Sequence, residues 1–281
     1  MTSENTDLEL FASAGRSEPF VYPTKSEDLC RVTDIPDGSV ALVLTDPPYF
    51  GIVDDAWDNQ WSTASHYATW LVSTLCVWLP KLTPTGSLVI FSGIGKHGEH
   101  PIFQVITGLE YGGYTYRNWT TWKKRRAYGK SHDYLFLREE ILWFSKSAER
   151  TKVTFNKPYT DVKRGYAGFS AKYPAHSEFK RVGNVWTDID PVIEDCPELM
   201  RPKRSCQKPP ALMERLVSTH SNPGDLIVDP FAGWGSTGIS AVKLGRRFVG
   251  CEAIEEDALA ADQRVREAVP TPPGVGKPST S

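Results

Sequence analysis

The sequence is poor in the residues that build covalent or metal-clamped frameworks. Its five cysteines (Cys30, Cys76, Cys196, Cys206, Cys251) are irregularly spaced, with no Cys-x-x-Cys pair. That argues against a zinc site and against a disulfide scaffold, and leaves reduced thiols. The one histidine cluster, His97-Gly-Glu-His100, sets its histidines three apart, whereas the His-Glu-x-x-His zinc signature sets them four apart. It reads as a solvated loop, and no metal is assigned. Long apolar runs are also missing. The longest clean one, Val40–Leu44, falls far short of the ~20 residues a membrane helix needs. Met1–Leu8 is polar and acidic, unlike a signal peptide. These absences lead to the expectation of a cytoplasmic protein with no membrane partner.

An excess of one charge is missing as well, since the net charge is only −2. Its distribution is uneven. Lys123 to Arg204 hold 18 Lys and Arg against 11 Asp and Glu, a surplus of seven, so the rest of the chain carries nine net negative charges. A polyanion-facing segment set into an acidic body has this pattern, and so does a solvated loop region with surplus lysine. What is present is ordinary for a globular chain: 281 residues, 40% hydrophobic and 23% charged. That is enough for one large α/β domain, or one domain carrying an insert.

Four short apolar runs bounded by turn residues read as buried parallel strands: Val40–Thr45, Ser87–Phe91, Asp225–Asp229 and Arg247–Cys251. Helical patterns lie between them, at about Thr63–Leu82, Pro210–His220, Ser236–Leu244 and Glu255–Ala268. Asn222-Pro223-Gly224 is a helix stop before the third strand. Strands alternating with helices at this spacing predict a doubly wound, mostly parallel α/β sheet. Between about Lys124 and Cys206 the rhythm breaks into a stretch rich in Tyr, Arg, Lys and Pro, with one strand pair near Tyr134–Phe144. That stretch reads as an insert on the sheet rather than more of it. Residues 1–20 lack periodicity and the 270–281 tail is rich in Pro, Gly and Ser, so both are expected to be disordered.

Two motifs carry chemistry. Asp46-Pro47-Pro48-Tyr49 follows directly on the strand Val40–Thr45. At ordinary residue usage such a tetrapeptide arises by chance in on the order of one chain in a thousand of this length. Ligand sites in open α/β sheets lie beyond the carboxyl ends of the strands, where this motif sits. Consecutive prolines fix φ and lack N–H groups. The Asp46 carboxylate and the Pro47 carbonyl thus become two acceptors on a rigid stub, matched to the two hydrogens of an exocyclic amine. Tyr49 adds an aromatic face for a stacked base. A strand-to-turn stop with a helix-capping Asp is the plainer reading.

The second motif, Asp229-Pro-Phe-Ala-Gly-Trp-Gly-Ser-Thr-Gly238, also follows a buried strand and opens a helix. Gly233 and Gly235 let the backbone turn tightly and approach a ligand. Free N–H groups at the helix start, at Ser236 and Thr237, face the same place. Glu252 lies 19 residues after Gly233 at the end of the next strand, where an acid binds ribose hydroxyls. The glycines match Gly-x-Gly-x-x-Gly, so this motif alone admits either a dinucleotide or S-adenosylmethionine.

Taken together, these stretches resemble the β-class S-adenosylmethionine-dependent DNA amino-methyltransferases, in which the Asp-Pro-Pro-Tyr segment precedes the cofactor loop. Asp46 lies 183 residues before Asp229, the reverse of the usual motif order, so the fold implied is a Rossmann-like methyltransferase with circularly permuted motifs. The resemblance runs over about Asp28 to Ala268. It rests also on Glu27-Asp28-Leu29-Cys30, Cys206-Gln-Lys-Pro209 and Asn118-Trp-Thr-Thr-Trp-Lys-Lys-Arg125. Trp234 departs from the small residue usual between those glycines.

The resemblance implies that Asp46, Pro47, Pro48 and Tyr49 are catalytic. It implies that S-adenosylmethionine is held by Asp28 (favoured over Glu27), Lys208, Asp229, Phe231, Gly233, Gly235, Ser236, Thr237 and Glu252. The loop Phe50–Trp61, with Trp57-Asp58, is expected over the site, its plainer reading being a surface loop. The implied division is 21–123 as catalytic half, 124–206 as target-recognition insert and 207–269 as cofactor half. Lys123, Lys124, Arg125, Arg126 and Lys130 are expected to contact phosphates, and Arg138, Glu139 and Glu140 to belong to strand edges. The activity implied is methylation of N6 of an adenine flipped from double-stranded DNA. N4 of cytosine is the alternative, ahead of RNA methylation or a catalytically silent DNA-binding module. Such an enzyme is bacterial or phage-encoded, and a homodimer and a cognate restriction endonuclease are partners that the resemblance admits.

Overall fold

A computed structural model describes residues 20–51, 58–93, 99–128, 132, 134–163, 168–170, 173–174, 177–191 and 207–270. The segments expected to be disordered lie outside that range apart from Phe20 and Pro270, as do Trp57, His97, Lys130, Cys196 and Cys206. The first part of the chain supplies β1 (Val21–Pro23), α1 (Leu29–Val32), β2 (Val40–Thr45), α2 (Ala64–Cys76), β3 (Leu82–Ser92), α3 (Pro101–Tyr111), β4 (Thr115–Tyr128) and β5 (Phe136–Ser145). Short strands follow: β6 (Tyr159–Lys163), β7 (Gly168–Ser170), β8 (Tyr173–Pro174), β9 (Phe179–Arg181) and β10 (Val185–Trp186). The chain closes with α4 (Pro210–His220), β11 (Leu226–Asp229), α5 (Ser236–Lys243), β12 (Arg247–Glu252) and α6 (Glu255–Ala268).

Eight strands form one sheet in the order β1-β12-β11-β2-β3-β5-β4-β10. Every neighbouring pair is parallel except those made by β5, which runs against both β3 and β4. The mostly parallel, helix-flanked sheet read from the sequence is present. All six residues of β2 are buried, as expected of a strand covered on both faces. Alternation then sorts side chains into two layers. Leu42, Leu44, Val89, Phe91, Ile227 and Phe248 pack with Leu212, Leu216, Ala241 and Val265 from α4, α5 and α6. Val43, Leu88, Ile90, Val228 and Val249 pack with Leu71, Leu75, Ile102 and Val105 from α2 and α3. Truncating a leucine in either layer to alanine costs about 2–5 kcal/mol.

Three details differ from the sequence reading. The helix expected over Thr63–Leu82 stops at Cys76, and Leu82 already opens β3. Pro80 lies between, and a proline cannot continue the helix. Helix α3 was not anticipated, although Pro101 stands at its first turn, a favoured place for proline. The third difference concerns the insert. The boundary at 123/124 falls inside the continuous strand β4, and β5 and β10 belong to the main sheet. Sheets β6–β9 and β7–β8 are separate from it. Charges at Arg138, Glu139 and Glu140 disguise β5 as surface, yet Glu139 and Glu140 are buried, on a strand that has a neighbour on each side.

Candidate active site at the ends of two neighbouring strands

Strands β11 and β2 are adjacent and parallel, so their carboxyl ends open on the same edge. From this pair the chain departs in opposite directions, β11 toward β12 and β2 toward β3. Such a switch point leaves a crevice. Thr45, the last residue of β2, donates its hydroxyl to Asp229 Oδ1 at 2.5 Å. Two segments far apart in sequence are thereby pinned together one residue before Asp46.

Beyond Thr45 the two prolines end the strand, and the chain turns through Phe50 and Gly51 at φ +66° and +69°. A phenylalanine in the left-handed region is uncommon and must be held there. Asp58 supplies the hold. Its fully buried carboxylate accepts the N–H groups of Tyr49 (2.7 Å) and Phe50 (3.0 Å), and its carbonyl accepts that of Gly51 (2.8 Å). From α2, Tyr67 donates to the Pro48 carbonyl at 2.5 Å. No described residue donates to the Pro47 carbonyl. The ring of Tyr49 rests on Gly93, where a Cβ would meet it at 3.3 Å.

Two side chains, Tyr49 and Lys208, meet the Asp46 carboxylate, and a second buried acid, Glu139, shares both of them. Tyr49 Oη makes a short hydrogen bond to Oδ1. Lys208 Nζ lies 2.5 Å from Oδ2 and 4.8 Å from the Phe91 ring centroid. Glu139 of β5 accepts from Tyr49 Oη at 2.6 Å and from Lys208 Nζ at 3.1 Å. Lys124 of β4 pairs with its second oxygen at 2.9 Å. Burial pushes the Asp46 carboxyl above the usual range against the pull of Lys208. Burial acts on Glu139 as well, but Lys208 and Lys124 outweigh it and hold that carboxyl down at about 2.

The β11 end is built differently. Buried Asp229 accepts Thr45, the Thr237 hydroxyl at 2.6 Å and the Phe231 N–H at 3.0 Å. Burial still lifts its carboxyl to about 6. Gly233 has φ +50° and nothing within 4 Å of where a Cβ would point, so the loop faces open space there. Gly235, at φ +79°, instead packs against Ala261 and Val265 of α6 and caps α5. The half-buried Phe231 meets Trp70 of α2 edge-on at 5.6 Å. Trp70 in turn donates to Glu27 at 2.5 Å. Glu252 ends β12 beside Pro23 of β1, and burial raises its carboxyl despite the Ile254 N–H it accepts at 3.0 Å.

The residues singled out from the sequence fall into three groups. Asp46, Pro47, Pro48 and Tyr49 stand together at one strand end. Phe231, Gly233, Gly235, Ser236 and Glu252 surround the neighbouring open turn, with Asp229 and Thr237 committed to each other beneath it. Lys208, expected on the cofactor side, lies in the Asp46 cluster. Asp28 is 42% exposed and paired with Arg31 at 3.2 Å, while Glu27 reaches Trp70. Lys123 is exposed and Lys124 is turned to Glu139. Trp234 offers its carbonyl to Arg264. The side chains of Arg125 and Arg126, and all of Lys130, lie outside the described residues. Among the described residues no cluster fit to hold a metal occurs, and no helix is long and apolar enough to cross a membrane.

The sequence reading gave no function to Glu139 or Tyr67, and it placed Asp58 on a loop over the site without its bracket on the Tyr49–Gly51 turn. A signal for Glu139 was present: adjacent acids running directly into the apolar stretch Ile141–Phe144 project to opposite faces, so each must find a partner where the strand is buried.

A carboxylate, a rigid backbone carbonyl and a tyrosine thus stand at one strand end, joined through Thr45 and Asp229 to the strand end that carries the open glycine turn. The chain belongs to the N6/N4 family of DNA methylases, whose model matches residues 40–263. It is 29% identical to the type II methyltransferase M.HpaI of Haemophilus parainfluenzae over 248 residues, 85% of this chain and 72% of that protein. It is 30% identical to the type II methyltransferase M1.MboII of Moraxella bovis over 236 residues, 78% of this chain and 86% of that one. Among solved structures it resembles TTHA0409 of Thermus thermophilus, crystallised with S-adenosyl-L-methionine: TM-score 0.58, 25% identity, 90% of this chain and 93% of that one.

Proposed function

We propose that this DNA methylase transfers the methyl group of S-adenosylmethionine to N6 of an adenine flipped out of duplex DNA. The observation that carries the reading is the junction of β2 and β11, which sets the Asp46 cluster beside the open turn at Gly233. The residues at that turn fit the cofactor: Gly233 leaves room for close backbone approach, Phe231 and Trp70 offer apolar rings, and Glu252 and Glu27 or Asp28 offer acceptors for hydroxyl and amino groups. S-adenosylmethionine would supply a methyl group already activated by its sulfonium, its C–S bond breaking to leave a neutral thioether while the methylated amine sheds one proton to solvent.

The protein's part is to present the nucleophile. Extruding a base costs a few kcal/mol, recovered by stacking in the pocket. Tyr49 stacks on it, and Asp46 and the Pro47 carbonyl accept its two amino hydrogens. Those bonds draw the nitrogen lone pair out of ring conjugation and strengthen as positive charge develops, so they favour the transition state over the ground state. Alignment supplies much of the remaining acceleration. No covalent enzyme intermediate is required. Lys123 and the arginines that follow Lys124 on the β4–β5 hairpin contact phosphates, and the segment carrying the separate sheets β6–β9 and β7–β8 contributes target recognition. The enzyme works in the cytoplasm of a bacterium, with a restriction endonuclease as candidate partner and a homodimer as candidate assembly.

Asp at the head of the tetrapeptide favours adenine, by the tendency of the family it resembles. N4 of cytosine suits the same acceptors and is the second reading. Digestion of DNA methylated by the purified protein and identification of the nucleoside tests the choice. N6-methyl-2′-deoxyadenosine is expected, and N4-methyl-2′-deoxycytidine would replace the reading with the alternative.

A further inference from the structure

Glu139 lies in the interior of the sheet on β5, is 5% exposed, and has both carboxylate oxygens turned toward cations. Its partners on one side are Tyr49 Oη and Lys208 Nζ, the two groups that also occupy Asp46. Tyr49 has one hydroxyl hydrogen and cannot donate it to two carboxylates at once. Lys208 sits between the same two acids, at 2.5 Å and 3.1 Å. The two acids therefore compete for the same donors. An amino group arriving at Asp46 must displace one or both of them, and a displaced buried ammonium without another partner is costly.

We propose that Glu139 is a positioning residue that takes over Lys208 and the Tyr49 hydroxyl when Asp46 turns to the substrate amino group. The exchange moves hydrogen bonds over a short distance and breaks no covalent bond. Asp46 is freed as an anion while Lys208 and Tyr49 stay paired. Glu139, held at about 2 by Lys208 and Lys124 against its burial, stays ionised throughout. The groups facing Asp46 are Lys208 from the segment before α4, Tyr49 from its own loop, Glu139 from β5 with Lys124 of β4 behind it, Tyr67 from α2 and Asp229 from β11.

The inference rests on Asp46 receiving the amino group, so Asp46→Ala is run alongside. The readout is kcat for labelled-methyl transfer at saturating DNA and cofactor, followed against pH. Glu139→Gln keeps an acceptor but removes the charge, which leaves Lys208 on Asp46. Its kcat is expected to fall on the order of 10-fold or more, less than loss of a directly contacting donor, and the acid limb to move to lower pH. Lys124→Met, at a part-exposed position, weakens the hold on Glu139 and draws Lys208 away from Asp46, so its acid limb moves to higher pH. It supplies the test even if the Glu139 variant fails to fold. An unmoved acid limb in Lys124→Met, or in a folded Glu139→Gln whatever its kcat, overturns the proposal and leaves Glu139 structural. Near-normal turnover by Asp46→Ala overturns instead the reading on which it rests.

Discussion

Strands β2 and β11 lie side by side, and each ends in a buried or nearly buried aspartate followed by proline, yet the two carboxylates are treated in opposite ways. Asp229 is surrounded by short donors that cannot leave: two threonine hydroxyls and a backbone N–H. Asp46 is met by the tips of two long side chains, Lys208 and Tyr49, each of which has a second acceptor in Glu139. Fixed partners make a carboxylate part of the frame. Exchangeable partners leave it available. The residue type is the same and the positions differ by one, Asp229 closing β11 and Asp46 following β2; the difference lies in what the neighbouring elements bring to each.

The largest effect that separates the two ends is expected at the glycine turn. Gly233→Val places a branched side chain at φ +50°, a conformation costing about 1–2 kcal/mol, and projects it into the open space. S-adenosylmethionine affinity measured by calorimetry should drop by on the order of 100-fold, equivalent to about 2.7 kcal/mol. An unchanged affinity would mean that the open turn is not where the cofactor binds.

A second experiment acts on the link between the ends. Thr45→Val removes the hydroxyl that joins β2 to Asp229. A hydrogen bond to a buried carboxylate contributes roughly 1.5–3 kcal/mol, and urea unfolding should show a loss of that size with a smaller effect on kcat. A loss of turnover without loss of stability would assign Asp229 to the chemistry rather than the frame.

How much of this was legible beforehand follows from where the information resides. The buried runs ending at Thr45 and Asp229, and the motifs after them, were visible because a strand covered on both faces writes a continuous apolar run. The adjacency of β2 and β11 had no local signal and appears only in the pairing of the sheet. The place of β5 was obscured because Glu139 and Glu140 look like surface, and their burial depends on Lys208, Lys124, Trp119 and Thr121 arriving from other strands and loops. Asp58 was legible as part of a loop over the site but not as its bracket, since its three backbone partners become apparent only once the turn at Phe50 exists.

The smallest effect concerns the side of the sheet away from both motifs. His220 is buried against Trp143 and Phe155, and burial depresses it from 6.5 to about 3. Because the folded value is the lower one, its contribution is complete above 6.5 and is lost as pH falls toward 3. Between pH 7 and pH 5 that amounts to about 2 kcal/mol. Urea midpoints should show wild type losing that much more than His220→Gln over the interval, although Asp229, raised to about 6, acts in the opposite direction in both proteins. Equal losses would show that His220 does not titrate on unfolding.

The central claim is that the Asp46 carboxylate serves the transferred methyl's acceptor while the neighbouring strand end holds the donor. Single-turnover methyl transfer by Asp46→Asn, with cofactor affinity measured on the same preparation, tests it most directly. Turnover reduced by on the order of 10²–10³-fold with cofactor affinity within a few-fold of wild type is the predicted result. Turnover near that of the wild type, or a loss explained wholly by weaker cofactor binding, would contradict it.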